Sequence, residues 1–167
     1  SPEQIRSLAT RKETRMAKSS ETCSVLMVGV GGCLPARLVD IKQLSETVDT
    51  SDEWIQQRTG IKQRYFVEQE RTSDLAVGAA RDALEHAGVT AEDIDIIVLA
   101  TTTPNDTFPS TASVVQKDLE AFNAFAFDVQ AVCAGFVYAL GVADALLRAR
   151  QGKRALVIGA ESFSKLL

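Results

Sequence analysis

The chain has 167 residues, of which 46% are hydrophobic and 24% charged, and its formal net charge is −4. This composition is typical of a globular domain with a core of its own. A negative balance without a long basic run argues against a nucleic-acid or anionic-membrane surface, and no apolar run approaches the roughly 20 residues of a membrane span. We therefore expect a soluble protein that binds neither nucleic acid nor membrane.

Three cysteines, Cys23, Cys33 and Cys133, are scattered along the chain. An odd number at these spacings predicts neither a disulfide framework nor a zinc site. We expect a cytoplasmic, reducing environment and no metal.

The first 22 residues are polar, with arginine and lysine interspersed with glutamate and no apolar stripe. This pattern predicts a mobile tail over residues 1–22, ahead of one α/β unit over residues 23–167. A transit peptide is an alternative, but the acidic residues disfavour it.

A short apolar run over residues 25–30 predicts a strand that leads into a glycine-rich loop ending at Pro35. The GVGG sequence is similar to a phosphate-binding glycine loop, but the third glycine of the dinucleotide fingerprint is absent and no helix signal follows at once. A turn or close packing is the interpretation we prefer.

A short helix is predicted over residues 50–58, because Thr50 and Glu53 stand at capping-box spacing. Trp54 and Arg58 are four residues apart and should share a face of that helix. An indole beside a guanidinium suits the adenine and phosphates of a nucleotide. The alternative is a tryptophan packed in the core beside a solvated arginine.

The next segment predicts a strand over residues 62–67 and an alanine-rich helix over residues 72–87. His86, the one histidine of the chain, lies in the last turn of that helix. A histidine there usually forms a favourable surface charge or caps the helix. A base or metal ligand is the alternative, but no Cys, Asp or Glu stands at metal-ligand spacing from it.

A continuous apolar run over residues 95–102 predicts a strand covered on both faces. A loop containing Phe108 follows, and helical spacing resumes over residues 112–119. From the residues alone, Phe108 is equally compatible with a loop anchor and with a contact residue.

The pattern changes from strand to helix around Cys133. Residues 125–130 alternate with period two, and apolar residues then recur every three or four positions as far as residue 150. Cys133 should lie in the first turn of this helix, where unpaired N–H groups and the helix dipole favour thiolate, the nucleophilic form. Gly135 would let a substrate carbonyl approach the backbone. The alternative is an unpaired cysteine that serves as a small apolar filler.

A last buried strand is predicted over residues 155–159. The regular alternation of strands and helices indicates an α/β fold with a mostly parallel five-stranded sheet and helices on both faces.

Three strings stand out as motifs: DVQAVCAGFVYAL (residues 128–140), DTSDEWIQQRTGI (residues 49–61) and ATTTPNDTFPSTA (residues 100–112). They resemble, respectively, the nucleophile segment, the coenzyme A-binding signature and the intervening segment of the β-ketoacyl-acyl carrier protein synthase III family. These are thiolase-fold enzymes that start bacterial fatty acid synthesis. The resemblance follows the family's order and approximate spacing and covers about residues 25–167.

The resemblance implies an acyltransferase. Cys133 would take an acyl group from a short acyl-coenzyme A and pass it to malonyl-acyl carrier protein, which loses carbon dioxide. Thr50, Trp54 and Arg58 would bind coenzyme A, and Phe108 would reach across a homodimer interface to close the partner's acyl pocket. No cofactor is implied beyond acyl-coenzyme A as substrate.

The family's fold has two α/β halves, and this chain resembles only the N-terminal, thiolase-like half. The histidine and asparagine that serve decarboxylation belong to the second half. The half by itself is therefore expected to accept an acyl group slowly, not to condense, and to expose an apolar helix face.

Two other functions stay open. The chain could be a non-catalytic coenzyme A-binding or assembly half of a divided synthase, with Cys133 a packed thiol. It could also belong to a related polyketide-type condensing enzyme with the same first half. The reactivity of Cys133 tests the first, and the choice of acyl-coenzyme A tests the second.

Overall fold

The computed structural model describes residues 24–40, 43 and 51–166. The predicted tail over residues 1–22 and the predicted ligand-binding residue Thr50 lie outside them. The strands and helices discussed below are β1 (Arg37–Asp40), α1 (Asp52–Thr59), β2 (Gln63–Phe66), α2 (Thr72–Ala87), β3 (Ile96–Ala100), α3 (Thr111–Leu119), β4 (Phe125–Val129), α4 (Gly135–Arg148) and β5 (Ala155–Gly159).

The central sheet is parallel, with the strand order β4-β3-β5. Strand β3 lies in the middle, and its Ile96 stands opposite Phe125 on one side and Ala155 on the other. All five residues of β3 are buried. The prediction of a doubly covered strand at this position is confirmed.

Helices cover both faces of this sheet. Ile97 and Leu99 of β3 pack in one core with apolar residues of α2 and α3. Ile96 and Val98 point to the other face and pack with Ala139 of α4. The period-two alternation of side chains thus supplies two separate cores from one strand.

The prediction of a five-stranded sheet is wrong, since the sheet formed by the described residues has three strands. The strand expected over residues 62–67 is present as β2, but it pairs antiparallel with β1, a strand that the sequence analysis missed. β1 and β2 form a ribbon of their own.

The predicted strand over residues 25–30 is also absent. This segment packs along α2 instead: the backbone N–H of Val30 lies 3.1 Å from His86 Nδ1, and that of Gly32 donates to Asp82 Oδ2 at 2.8 Å. A groove of about 1480 Å³ lies between the segment and β5. An apolar run becomes a strand only where another strand edge can hydrogen-bond to it.

The glycines of this segment fit the close-packing interpretation. A Cβ at Gly31 would stand 2.3 Å from the backbone nitrogen of Ala83, and one at Gly29 would stand 2.6 Å from its carbonyl oxygen. The segment can therefore approach the helix only because both side chains are missing.

Helix α1 begins at Asp52, two residues after the start of the predicted range. Its N-cap is Ser51, whose Oγ accepts a hydrogen bond from the backbone N–H of Trp54 at 3.2 Å. Gly60 ends the helix in the left-handed conformation, at φ 70°. The capping-box spacing of Thr50 and Glu53 favoured an earlier start, although serine is as good an N-cap residue as threonine.

Candidate active site at the carboxyl edge of the sheet

The three parallel strands end at one edge of the sheet, and the chain continues from each into a loop. The backbone N–H of Thr101 donates to Val129 O and that of Ala160 to Ala100 O, both at 3.1 Å, so the loops start in register. Ligand sites in open α/β sheets lie beyond the carboxyl ends of the strands. Cys133 follows β4 at this edge.

Cys133 is exposed and lies in a single 3-10 turn, Val132–Ala134, which joins β4 to α4. The expectation that it occupies the first turn of the α-helix is corrected by two residues, because α4 begins at Gly135. Its thiol is free, and the alternative of a packed apolar filler does not fit its exposure.

The residue before the cysteine has an unusual backbone. Val132 has φ +47°, a left-handed conformation that a β-branched residue rarely adopts. Its side chain is 61% exposed, so burial of that side chain does not account for the conformation. Strain of this kind concentrates at functional sites. It bends the chain sharply and brings Cys133 to the surface of the turn.

Gly135 serves the packing of helix α4. A Cβ there would lie 3.2 Å from Cβ of Ala100, and Gly135 is buried. Its missing side chain lets the start of the helix approach β3. The sequence analysis expected Gly135 to leave room for a substrate carbonyl. In the structure Gly135 faces the sheet, and the space left by its missing side chain is next to Ala100.

The loop after β3 carries Phe108, which is 83% exposed. The peptide bond between Phe108 and Pro109 is cis. Asn105 in the same loop accepts a hydrogen bond from Ser73 N at 3.1 Å and donates to Ser73 Oγ at 2.7 Å. The loop is thus fixed to the start of α2 while its aromatic side chain faces outward. A loop anchor would be buried, so the contact interpretation of Phe108 is favoured.

The sequence analysis missed a polar cluster at this edge. Glu161, two residues after β5, accepts hydrogen bonds from Thr102 N and Thr102 Oγ1, each at 2.8 Å. Asp128 of β4 accepts from the backbone N–H groups of Thr111 and Ala112 at the start of α3. The available signal was polar residues placed directly after, or within, strands that are otherwise apolar.

Trp54 and Arg58 lie on α1, and the carbon at the centre of the Arg58 guanidinium is 5.3 Å from the centroid of the Trp54 ring. Trp54 is 56% exposed, so the alternative of a buried core tryptophan is wrong. A cation beside an exposed aromatic ring is an arrangement that suits the adenine and phosphates of a nucleotide. The third predicted member of the set, Thr50, lies outside the described residues.

His86 is exposed on α2, and its Nδ1 lies 3.0 Å from Val30 O as well as near Val30 N. It thus ties residues 24–34 to the helix. Within the described ranges, no group of three His, Cys, Asp or Glu side chains is arranged to hold a metal ion. No helix of the same residues is long and apolar enough to cross a membrane.

Comparison with known proteins agrees with this architecture. A family model described as 3-oxoacyl-[acyl-carrier-protein (ACP)] synthase III matches residues 127–167. The β-ketoacyl-[acyl-carrier-protein] synthase III of Rhodospirillum centenum is 57% identical over 143 residues, which cover 85% of this chain and 44% of that protein. Over these residues the chain is similar to the N-terminal part of β-ketoacyl-acyl carrier protein synthase III proteins.

Solved structures support the thiolase-like fold. The synthase III of Aquifex aeolicus superposes with a TM-score of 0.80 at 46% identity and covers 83% of this chain and 45% of that chain. The priming β-ketosynthase of the R1128 polyketide pathway gives a TM-score of 0.79 at 37% identity, covering 83% of this chain and 42% of that one. The chain thus spans less than half the length of its synthase III relatives.

Proposed function

We propose that Cys133 is the acyl-accepting nucleophile of a synthase III enzyme. The observation that carries this proposal is an exposed thiol on a strained turn between the carboxyl end of β4 and the amino end of α4. The free N–H groups at the start of a helix interact favourably with an anionic sulfur and with a developing oxyanion. A relative with this name is 57% identical over 85% of the chain.

The first reaction is a transthioesterification. The Cys133 thiolate attacks the thioester carbonyl of acyl-coenzyme A, a bond forms between Sγ and the acyl carbon, and coenzyme A leaves as a thiolate. In the second reaction malonyl-acyl carrier protein loses carbon dioxide, and the resulting carbanion attacks the acyl-cysteine. The β-ketoacyl product forms and the Cys133 thiolate is released.

This chain supplies the first reaction. Its one histidine, His86, lies on α2 and contacts the backbone of Val30. We assign the acid–base groups of the second reaction to the second half of the fold. The first turn of α4 exposes the large side chains of Phe136, Val137 and Tyr138, and we infer that this second half covers them.

Acyl transfer to Cys133 is tested by incubating the purified chain with acetyl-coenzyme A and mapping the product by peptide mass spectrometry. We expect one acetyl group on Cys133 and an equal amount of free coenzyme A. Cys133→Ser should abolish the transfer, while the matched control Cys33→Ser should retain it. A folded chain that gains no acetyl group at Cys133 would overturn the proposal.

Iodoacetamide separates the catalytic from the non-catalytic alternative without any substrate. Cys33 and Cys133 are both exposed and free, so Cys33 is an internal reference. We expect Cys133 to react at neutral pH about tenfold faster, because thiolate content controls the rate. Equal rates would favour the assembly role, in which the thiol has no chemistry.

Coenzyme A binding is assigned to Trp54 and Arg58, with the ring and the guanidinium holding the nucleotide end. Their contact at 5.3 Å on an exposed face supports this assignment. Trp54→Ala should raise the acetyl-coenzyme A concentration that gives half the maximal rate of acetylation (the KM below) at least about tenfold, the cost of a lost aromatic contact, and leave the iodoacetamide rate unchanged. The exposed Glu85→Ala serves as control, and an unchanged KM would refute the assignment.

A cytoplasmic homodimer completes the proposal. Strand β4 lies at an edge of the described sheet. Phe122, three residues before β4, is 69% exposed, and Phe108 is an exposed aromatic residue in the preceding loop. Sedimentation should show self-association that Phe108→Ala weakens about tenfold, as loss of an aromatic anchor does. A monomer at all concentrations would exclude this part of the proposal.

A polyketide-type condensing enzyme is the second candidate, favoured by the 37% identity to the R1128 priming β-ketosynthase. The substrate decides between them. Combining the chain with the complementary half of the Rhodospirillum relative and supplying acetyl-, butyryl- and longer acyl-coenzyme A should give most product with acetyl for fatty acid initiation. A preference for longer or branched primers would favour the polyketide role.

A further inference from the structure

The carboxylate of Glu161 joins two loops at the carboxyl edge of the sheet. Besides the backbone and hydroxyl of Thr102, it accepts hydrogen bonds from Thr101 Oγ1 at 3.3 Å and from Thr103 Oγ1 at 2.5 Å. Three consecutive threonines after β3 therefore all donate to one carboxylate after β5. Hydrogen bonds to an ionised acceptor are among the stronger ones in proteins.

A second layer of hydrogen bonds ties the same residues to helix α2. Thr72 Oγ1 donates to Thr103 O at 2.6 Å and lies 2.8 Å from Ser162 Oγ. The backbone N–H of Ser162 donates to Thr103 Oγ1 at 2.9 Å. Thr72 and Ser162 are buried, so this part of the network is shielded from competing water.

The far end of the loop is fixed as well. Asp128 accepts from Thr111 N at 2.9 Å and from Ala112 N at 2.7 Å. Phe108 projects from this loop and is 83% exposed. An exposed aromatic on a loop held at both ends loses little conformational freedom when it binds, which improves affinity.

We propose that Glu161 is a positioning residue that holds the loop of residues 101–110 in the conformation in which Phe108 meets a second protomer. Glu161 acts through the threonine hydroxyls and the loop backbone, without contacting substrate. The inference rests on the proposed role of Phe108 at a dimer contact, and it adds the group that keeps this side chain in place.

Hydrogen exchange measures how readily the loop opens, independently of activity and of self-association. In Glu161→Ala, the amides of residues 101–110 should exchange at least about tenfold faster than in the parent chain, since exchange follows local opening. Glu161→Gln keeps one acceptor oxygen and should fall between the two. The exposed Glu85→Ala should leave the loop unchanged, and equal exchange in all four proteins would overturn the proposal.

A double-mutant cycle distinguishes positioning from general support of the fold. Phe108→Ala and Glu161→Ala should each weaken self-association, and the double variant should be no weaker than Phe108→Ala alone, because both remove one contact. Additive losses would mean that Glu161 does not act through Phe108 and would refute the proposal. The iodoacetamide rate of Cys133 should stay within about twofold of the parent in every variant, since the cysteine lies on another loop.

The two proposals fail in different ways. A chain that never self-associates removes the dimer role of Phe108, whereas the exchange experiment still decides whether Glu161 holds the loop. A dimer whose loop exchanges equally fast with and without Glu161 keeps the proposed function and removes the positioning role.

Discussion

The carboxylate of Asp128 accepts a 2.9 Å hydrogen bond from the backbone N–H of Thr111, so the strand that leads to Cys133 also caps helix α3. The next amide, that of Ala112, donates to the same carboxylate at 2.7 Å. One side chain thereby satisfies two of the N–H groups that a helix start leaves unpaired. A substitution of Asp128 should therefore affect both α3 and β4.

Asp128→Ala should lower the free energy of unfolding by about 1–2 kcal/mol, the usual cost of losing a helix cap with a favourable dipole interaction. Urea unfolding followed by circular dichroism measures it. Asp118→Ala is the control, because Asp118 is exposed near the end of the same helix. A loss in the control as large as in the variant would show that the capping contact is not the cause.

Val132→Gly should leave the stability unchanged or raise it by up to about 1 kcal/mol. A left-handed conformation costs an L-residue about 1–2 kcal/mol, and glycine avoids this cost. Glycine also destabilises the fold by about 0.5–1 kcal/mol, because its more flexible unfolded chain loses more entropy on folding. Val137→Gly, on the exposed face of α4, should instead lower the stability. Thermal unfolding of both variants compares them, and a clear loss in Val132→Gly would mean that the turn is not strained.

Gly31→Ala should detach residues 24–32 from helix α2. Its Cβ would lie 2.3 Å from Ala83 N and 2.5 Å from Ala79 O, and backbone atoms of a helix cannot move aside. Gly32→Ala is the matched control, because its Cβ would meet nothing within 4 Å. Faster hydrogen exchange at the Val30 amide in the first variant only is the expected result, and slow exchange in both would contradict this packing.

The stability should fall in acid partly through Glu70. The backbone N–H of Glu68, followed by those of Glu70 itself and Ala36, lowers the pKa of this carboxyl from 4.5 to about 2. Because the folded-state pKa is depressed, the stabilisation is complete above about pH 4.5 and disappears as the pH falls towards 2. Its hydrogen bond from Ala36 N, at 3.3 Å, joins the start of the β1 segment to the turn before α2.

Glu70→Gln isolates this contribution. The variant should be less stable than the parent at pH 6, and the difference should shrink as the pH falls to about 2, where roughly half of the parent carboxyl is protonated in the folded state. Urea midpoints between pH 2 and 7 give the curve, with Glu85→Gln as the exposed control. A difference that persists unchanged down to pH 2 would assign the effect to packing instead of charge.

Much of the central layer could be predicted from sequence. Residues 72–87 and 155–159 have the bounds of α2 and β5, because alanine-rich periodicity ended by Gly88 and a short β-branched run are signals carried by the residues themselves. That Trp54 and Arg58 share a face of α1 also follows from their spacing, whereas the exposure of Trp54 does not.

What escaped prediction depends on contacts distant in sequence. Residues 25–30 are apolar enough for a strand, yet whether they become one is decided by the presence of a strand edge to pair with. Glu161 binds threonines about 60 positions away, a relation that no local pattern contains. Likewise, nothing in the string around Val132 signals its left-handed backbone.

Strand β3 is bonded along both edges and covered on both faces, so none of its five residues borders solvent. A change of side-chain volume at any of these five positions should therefore disturb the packing. An extra methyl group must displace either the pair α2 and α3 or α4, and through α4 it would shift the turn that carries the cysteine. Variation in this strand should therefore be tolerated only as paired exchanges, in which a neighbour in the same layer shrinks as one of its residues grows.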